Sequence, residues 1–317
     1  MEDNKSADYT GLSLVSGGLI YYLTALIRRN CSEKTGRLRT AFVLVAITWL
    51  PLCIISLFEG TLQDSSQTIS FFEDFYLHVR FLFVVPFLIL IENLVDKSFI
   101  GFLEETDDII PDTQQNAFNQ LVRRLDQLTN SFIPELLVLV VFYGLISLNW
   151  DSLSIFNSDR NFLLHTNSNS LAIGGWYYLL ICTPVFLLLV FRWLWRWIIW
   201  IYSIIRISRF SLEMDPLHAD KMGGLEYLNT VPLTLSYILF APSAVFSAHI
   251  GMEIIYHGAS LSEFVVPISA YIFMLPIILF APLFLFIPKL IGMKTWAIKN
   301  FGSTIRKHNM AYREVWI

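Results

Sequence analysis

Long apolar stretches recur along the chain and are separated by shorter polar segments. A helix needs about 20 apolar residues to cross the hydrocarbon core of a bilayer, and six stretches reach or approach that length. They occupy residues 40–59, 75–95, 132–150, 172–191, 229–251 and 264–291. We therefore predict an all-α fold, a polytopic membrane helix bundle with six transmembrane helices.

A further apolar stretch, residues 9–27, contains no charged residue and is just long enough to cross. Its three glycines and its hydroxyl side chains favour a short interfacial helix, and a seventh span is the alternative. The acidic start of the chain lacks the basic region of a cleavable signal peptide. The predicted organisation is a cytoplasmic N-terminal segment over 1–39, a six-span membrane domain over 40–291 and a cytoplasmic tail over 292–317.

The basic residues predict an orientation. Alternate connections between the spans, together with both terminal segments, carry 20 lysines and arginines, whereas the intervening connections carry only Arg160. Arg80 is the remaining basic residue and lies inside a predicted span. Because lysine and arginine are enriched on the cytoplasmic side of membrane proteins, we expect the C-terminus in the cytoplasm, and the N-terminus as well if six helices cross.

Composition supports the membrane assignment. Hydrophobic residues make up 55% of the chain and charged residues 15%, whereas soluble domains carry about 25% charged residues. The lipid bilayer is therefore the first expected partner, and no nucleic-acid partner is expected. Three cysteines without CxxC spacing support neither a disulfide framework nor a cysteine metal site. No pattern in the chain indicates a bound cofactor.

Charged residues inside the spans are candidates for function, because a charge in the hydrocarbon core is costly and usually faces a cavity or an opposite charge. Arg80 lies about one turn inside the outer end of the second span. We expect it to pair with Glu73, seven residues earlier, or with Glu59 at the outer end of the first span; the alternative is an arginine that snorkels to the interface. Glu92 and Glu135 lie near the inner ends of the second and third spans. Each of them either snorkels to the interface or lines an inner vestibule.

The polar loop PLHADKMGGLEYL, over residues 216–228, has two interpretations. In the first, His218 and Asp220 form part of a site in a loop shaped by Gly223 and Gly224, because glycine permits positive φ and close backbone approach. In the second, the loop is a turn in which Asp220 caps the next helix. The groups expected to complete a site are Glu92, Glu135, Arg192 and Arg196.

Three other patterns bear on the architecture. AFNQLVRRLDQL, over residues 117–128, has the apolar spacing of an amphipathic helix on the cytoplasmic side. His249, Glu253 and His257 follow at i, i+4 and i+8, a much weaker metal pattern than H-E-x-x-H, and we expect no metal there. Ten of the 12 prolines lie in or at the ends of the spans, and interrupted helices recur in transporters.

Several stretches resemble a family of uncharacterised bacterial multi-spanning inner-membrane proteins. They are TWLPLCIISLFEG, HVRFLFVVPFLILIE, FRWLWR and HADKMGGLEYL. In that family the last stretch is usually a His-Pro-Asp-x-x-Gly-Gly-Leu loop, and Ala219 stands here in place of the proline. The resemblance implies a multi-pass protein of the bacterial inner membrane and emphasises the His218 loop, but it implies no catalytic residues.

These patterns favour a channel or transport-like protein that moves ions or small solutes and forms a homo-oligomer. Arg80 would stand near the outer mouth, and Glu92, Glu135 and the His218 loop near the inner one. One alternative is a membrane-embedded enzyme acting at the cytoplasmic leaflet through His218 and Asp220. Another is a membrane effector or partner subunit that works with other proteins of a multi-gene system.

Overall fold

The computed structural model describes residues 17–18, 32–62, 69–148, 171–220 and 222–315. Within these residues the predicted all-α fold is confirmed, because six helices are long and apolar enough to cross a membrane. Spans one to six are Lys34–Phe58, Phe75–Asp108, Asp112–Ser147, Ile173–Ile207, Glu226–His257 and Leu261–Gly302. The chain is an integral multi-pass membrane protein. The stretch 9–27 lies outside the described residues except for Gly17 and Gly18.

The spans consist of shorter helical pieces joined end to end. The α-helices are α1 Glu33–Thr48, α2 Leu50–Phe58, α3 Phe75–His78, α4 Val85–Leu90, α5 Glu92–Asp108, α6 Gln115–Thr129, α7 Ile133–Leu148, α8 Ile173–Tyr177, α9 Thr183–Ile207, α10 Thr230–Ser236, α11 Phe240–His257, α12 Val265–Phe280 and α13 Ile287–Val315. Two π-helical turns occupy Val79–Val84 and Tyr178–Cys182. Short 3-10 segments occupy Asp112–Gln114, Glu226–Asn229, Tyr237–Leu239, Leu261–Phe264 and Ala281–Phe286.

Spans two and four form the centre of the bundle. In their most apolar stretches 44% and 50% of the residues are buried, against 11% in span six. Large side chains such as Phe81, Phe99 and Trp200 are fully buried between the helices. Span six instead exposes apolar side chains such as Phe273, which is the surface that a bilayer covers.

The packing of spans two and five fixes which residues share an end of the bundle. The start of span five, α10, packs on α5 at the end of span two, whereas α11 packs on the first residues of span two. We call the end with α5, α10 and the start of span one the basic end, because it carries most of the lysines and arginines among the described residues. The other end is the opposite end.

The predicted amphipathic helix is α6. Its apolar residues Phe118, Leu121 and Leu125 are buried, and the helix packs against α9. Its polar residues Arg123 and Arg124 are exposed. The helix is interrupted after Thr129, so α7 is the part of span three that crosses, and α6 covers the bundle at the basic end.

Candidate functional site

Arg80 is buried near the opposite end, where aromatic side chains surround its charge. The residue is 8% exposed, and its Nη1 atom donates a hydrogen bond of 2.7 Å to the Tyr178 hydroxyl. Its Cζ atom lies 4.0 Å from the centre of the Phe186 ring and 5.9, 5.6 and 5.9 Å from the rings of Tyr76, Phe81 and Tyr178. Each such contact attracts a cation by about 0.5–2 kcal/mol. We call these five residues the arginine cage.

The predicted ion pair of Arg80 with Glu73 or Glu59 is not formed. Among the described residues no carboxylate lies within ion-pair distance of Arg80. Glu73 instead accepts hydrogen bonds from Oγ and N of Ser70, at 2.6 and 3.0 Å, and these bonds lower the pKa of Glu73. The physical reason is that span two begins only after the N-cap Asp74. Glu73 therefore stands in the preceding turn, where helical spacing to Arg80 does not apply.

Arg80 and Tyr178 lie in the two π-helical turns, at the same spacing from a following proline. Arg80 lies in the turn of span two, and Tyr178 opens the turn of span four. Each residue stands six positions before a proline, Pro86 or Pro184. Proline lacks the N–H that would bond the carbonyl four residues earlier, so the helix must adjust locally. Because π turns inside helices often mark functional positions, the arginine cage is a candidate site.

Neighbouring side chains add hydrogen bonds around the π-helical turn in span four. Pro184 cannot donate to the Leu180 carbonyl, which accepts a hydrogen bond of 2.9 Å from the Tyr143 hydroxyl of α7. Thr183 Oγ1 donates to the Tyr178 carbonyl at 3.0 Å. The Tyr143 hydroxyl thus replaces the N–H that Pro184 lacks, as a membrane helix interrupted by proline requires, and the Thr183 hydroxyl adds to the bond that the Thr183 N–H already makes with Tyr178.

Glu92 bridges two arginines between the central spans. Glu92 is 0% exposed, Arg192 5% and Arg196 2%. Glu92 Oε1 lies 3.1 Å from Arg192 Nη1 and 3.4 Å from Arg196 Nη2. We call these three residues the charged triad. It lies about 25 Å along span two from its first residue, at 1.5 Å per residue, and therefore on the basic-end side of the membrane core.

Local sequence explains why the triad forms. The helix of span two is interrupted at Ile91, and Glu92 begins α5, where the positive end of the helix dipole favours a negative charge. Arg192 and Arg196 are four residues apart and share one face of α9. The Arg196 guanidinium also lies 4.4 Å from the centre of the Trp193 ring.

Glu135 shares a cavity with the arginines of the triad. The cavity has a volume of about 320 Å³, and its lining includes Gly18, Glu135, Arg192 and Arg196 among mostly apolar side chains. Glu135 is 5% exposed, and a Cβ added at Gly18 would overlap its carboxylate. Glu135 therefore lines the same cavity as the two arginines that contact Glu92.

The His218 loop has a different arrangement, organised around Asp220. The Asp220 carboxylate accepts hydrogen bonds from the N–H groups of Met222 and Glu226, at 2.9 and 3.1 Å, and lies 2.9 Å from His218 Nδ1. Burial alone would raise the pKa of Asp220, but hydrogen bonds from Gly224, Met222, His218 and Glu226 hold the pKa well below its usual range. Since Glu226 begins span five, Asp220 fixes the entry of the chain into that span.

The two glycines of the loop are required by geometry. Gly223 and Gly224 have φ of +72° and +87°, which residues with a Cβ rarely adopt. A Cβ at Gly223 would also overlap the Met293 sulfur on α13. The His218 side chain is 52% exposed while that of Asp220 is 3% exposed. These contacts match those expected of a turn.

The loop does not converge with the charged triad. A polar cavity of about 330 Å³ beside the loop is lined by Glu105, His218, Asp220, Gly224, Glu226, Tyr227 and Thr230, none of which lines the cavity at Glu135. Glu105 lies 13 residues beyond Glu92 on the same helix, a distance of about 20 Å. The groups that the sequence predicts to form one site therefore lie in two places at the basic end: the charged triad with Glu135, and the His218 loop.

His249, Glu253 and His257 do not gather around a common point. Glu253 Oε2 lies 3.0 Å from His257 Nδ1, whereas the His249 ring packs against Tyr76 of span two. In the described part of the chain no group of three histidine, cysteine, aspartate or glutamate side chains could hold a metal ion.

Tyr178 and Phe186 were not predicted from the sequence. The equal spacing of Arg80 and Tyr178 from a following proline was an available signal, because it places both residues in equivalent turns of two helices. Nothing in the sequence indicates Phe186, whose ring approaches Arg80 only because spans two and four pack together.

Comparisons with known proteins identify no family. No family model, no curated protein and no solved structure matches the chain significantly. The bacterial family that the sequence motifs resemble is therefore not identified by these comparisons, and functional conclusions rest on the geometry above.

Proposed function

We propose that this protein moves ions or small solutes across its membrane and that the charged triad binds the transported species. One observation carries the proposal. Glu92, with no exposed surface, contacts two almost fully buried arginines inside two membrane spans. Ionisable residues within membrane spans usually mark the route of a substrate, ion or proton.

The energetics of the triad support a functional role. Replacing a buried ion pair by well-packed apolar side chains is often neutral or stabilising by about 1–4 kcal/mol, so attachment of span two to span four does not require charge. The adjoining cavity, whose lining is mostly apolar but includes Glu135, Arg192 and Arg196, offers a volume next to the triad in which a small ion could bind. A role in binding an ion accounts both for the buried charges and for the cavity beside them.

The packing between the triad and the arginine cage favours transport by movement over an open channel. Val84, Val85 and Leu88 of span two and Leu189 of span four are almost fully buried between the two sites. A solute therefore passes only if the spans move. The proline-associated π turns at Arg80 and Tyr178 are suitable hinges, because interrupted helices allow such motion in transporters.

Transport is tested with the purified protein in liposomes, by recording fluxes of chloride, potassium and protons. We expect at least one flux in the wild type and its loss in the triple variant Glu92→Leu, Arg192→Leu, Arg196→Leu. Thermal unfolding of the same preparations separates function from folding, because an apolar triad should remain folded. Glu104→Gln, a change at an exposed carboxylate of the same helix, is the matched control. A folded triple variant with wild-type flux would refute the role of the triad.

The proposal includes a cytoplasmic basic end and location in a bacterial inner membrane. The 20-to-1 distribution of basic residues supports the orientation. An alkaline-phosphatase fusion to the C-terminus should be inactive, and a green fluorescent protein fusion should be fluorescent; the reverse pattern contradicts it. Homo-oligomer formation is tested by the mass of the purified protein. The alternative enzyme at the basic end has less support, because Asp220 is engaged in hydrogen bonds that hold its loop.

A further inference from the structure

A long apolar slot separates spans two, four, five and six. Its volume is about 720 Å³, within the roughly 300–1,000 Å³ of ligand pockets in proteins. The lining is apolar apart from Tyr76, His249, Tyr271 and the indoles of Trp193 and Trp197. The slot lies in the part of the bundle that crosses the membrane, so its natural occupants are apolar.

The dimensions of the slot match one lipid tail. On span two the lining runs from Tyr76 to Leu88, which is about 18 Å at 1.5 Å per residue. One leaflet contributes about half of the roughly 30 Å hydrocarbon core. An acyl chain that enters from the opposite end would therefore reach from the polar boundary to about the middle of the bilayer.

A buried cation lies behind two of the aromatic rings that line one end of the slot. Tyr76 and Phe186 both line the slot, and the Cζ atom of Arg80 lies 5.9 and 4.0 Å from the centres of their rings. Arg80 is 92% buried, and its Nε atom has no hydrogen-bond partner among the described residues. No described carboxylate lies within ion-pair distance of its guanidinium. The missing counter-charge points to an anion at this end of the slot.

We infer that the slot binds an acidic phospholipid, with one acyl chain between the spans and the anionic headgroup near Arg80. The apolar lining selects a chain, and the unbalanced guanidinium selects the charge of the headgroup. Tyr76 and His249, at the same end, supply further polar contacts at the level where aromatic residues meet headgroups. This site is separate from the charged triad and does not depend on transport.

The test is photocrosslinking of the full-length protein in nanodiscs. Phosphatidylglycerol and phosphatidylcholine, each with the same diazirine-labelled acyl chain, are compared, and labelled peptides are located by mass spectrometry. We expect label on slot residues of spans two and five, with about fivefold preference for phosphatidylglycerol, the advantage that one basic residue gives towards anionic lipid.

Three variants distinguish the parts of the inference. Arg80→Gln should remove the preference for phosphatidylglycerol, and Arg80→Lys should retain it. Val190→Trp fills the slot from a partly exposed position and should lower labelling by both lipids several-fold. Val141→Trp, at an exposed position of span three outside the slot, is the control and should leave labelling unchanged.

Several results would overturn the inference. One is equal labelling of slot and exposed surfaces, and another is unchanged slot labelling in Val190→Trp. A preference for phosphatidylglycerol that survives in folded Arg80→Gln would remove the role of the cation. Displacement of the label by palmitate but not by unlabelled phosphatidylglycerol would assign the slot to a free fatty acid instead.

Discussion

Replacing Glu92 with glutamine isolates the energetic role of its charge. Glutamine keeps the shape and length of the side chain, but Arg192 and Arg196 would then face each other without the carboxylate that lies 3.1 and 3.4 Å from them. All three side chains are at most 5% exposed, so bulk water does not directly solvate the arginines that lose the carboxylate. Removing one partner of a buried ion pair costs about 3–5 kcal/mol.

We expect Glu92→Gln to lower the free energy of unfolding by about 3 kcal/mol, the lower end of that range. Asp96 also interacts electrostatically with Arg196, and Glu135 projects into the adjoining cavity, so some compensation remains. At roughly 2–4 °C per kcal/mol for a chain of this order of size, a loss of about 3 kcal/mol lowers the midpoint of thermal unfolding by about 6–12 °C. The midpoint is measured in detergent by the loss of the monodisperse peak in size-exclusion chromatography.

The control is Glu104→Gln, twelve residues further along the same helix, where the side chain is exposed. Changes at such positions usually alter stability by less than about 0.5 kcal/mol, so its midpoint should remain within about 2 °C of the wild type. Equal midpoints for Glu92→Gln and Glu104→Gln would mean that the carboxylate does not compensate the arginines, and the reasoning about the triad would fail.

Three further predictions concern the loop and the arginine cage. Because the pKa of Asp220 is lowered in the folded protein, its charge stabilises the fold above the unfolded pKa of about 3.9, and this contribution is lost as the pH falls below that value. The midpoint of Asp220→Asn should therefore lie below that of the wild type at pH 7, and the two should converge below pH 4; a constant difference contradicts the prediction. Gly223→Ala should lower the free energy of unfolding by about 2–4 kcal/mol, because of the positive φ and the overlap with Met293, and by more than Gly224→Ala. The control is Gly101→Ala, where an added Cβ meets open space. Equal unfolding midpoints for all three variants would contradict the prediction. Tyr178→Phe removes the hydrogen bond of 2.7 Å to Arg80 but keeps the ring. We therefore expect the free energy of unfolding, measured by thermal unfolding, to fall by about 1.5–3 kcal/mol. The control is Tyr237→Phe at an exposed tyrosine, which should leave stability unchanged.

Much of the fold follows from hydropathy. Each membrane span needs a continuous apolar stretch of fixed length, so the six spans could be located from composition along the chain. The amphipathic helix α6 was predictable for a similar reason, since its buried residues Phe118, Leu121 and Leu125 recur at helical spacing.

The side-chain partners inside the bundle could not be predicted in the same way. Pairing Arg80 with Glu73 assumed one continuous helix, whereas a cap at Asp74 separates them. The contact between Arg80 and Phe186 joins residues more than one hundred positions apart, and only the packing of spans two and four creates it. The triad could be predicted in part, because the topology places Glu92 and the two arginines at one end of the bundle. Its separation from the His218 loop could not, because that distance depends on the length of α5.

The low burial of span six has a consequence for how the protein is made. Membrane helices leave the insertion machinery in chain order, and spans two and four, which form the centre, are complete before span six is synthesised. With 11% of its apolar stretch buried, span six adds little to a core that spans one to five have already assembled. Spans one to five therefore reach the membrane before span six, and span six closes one wall of the slot, through Tyr271 and Leu275, as the last step of biogenesis.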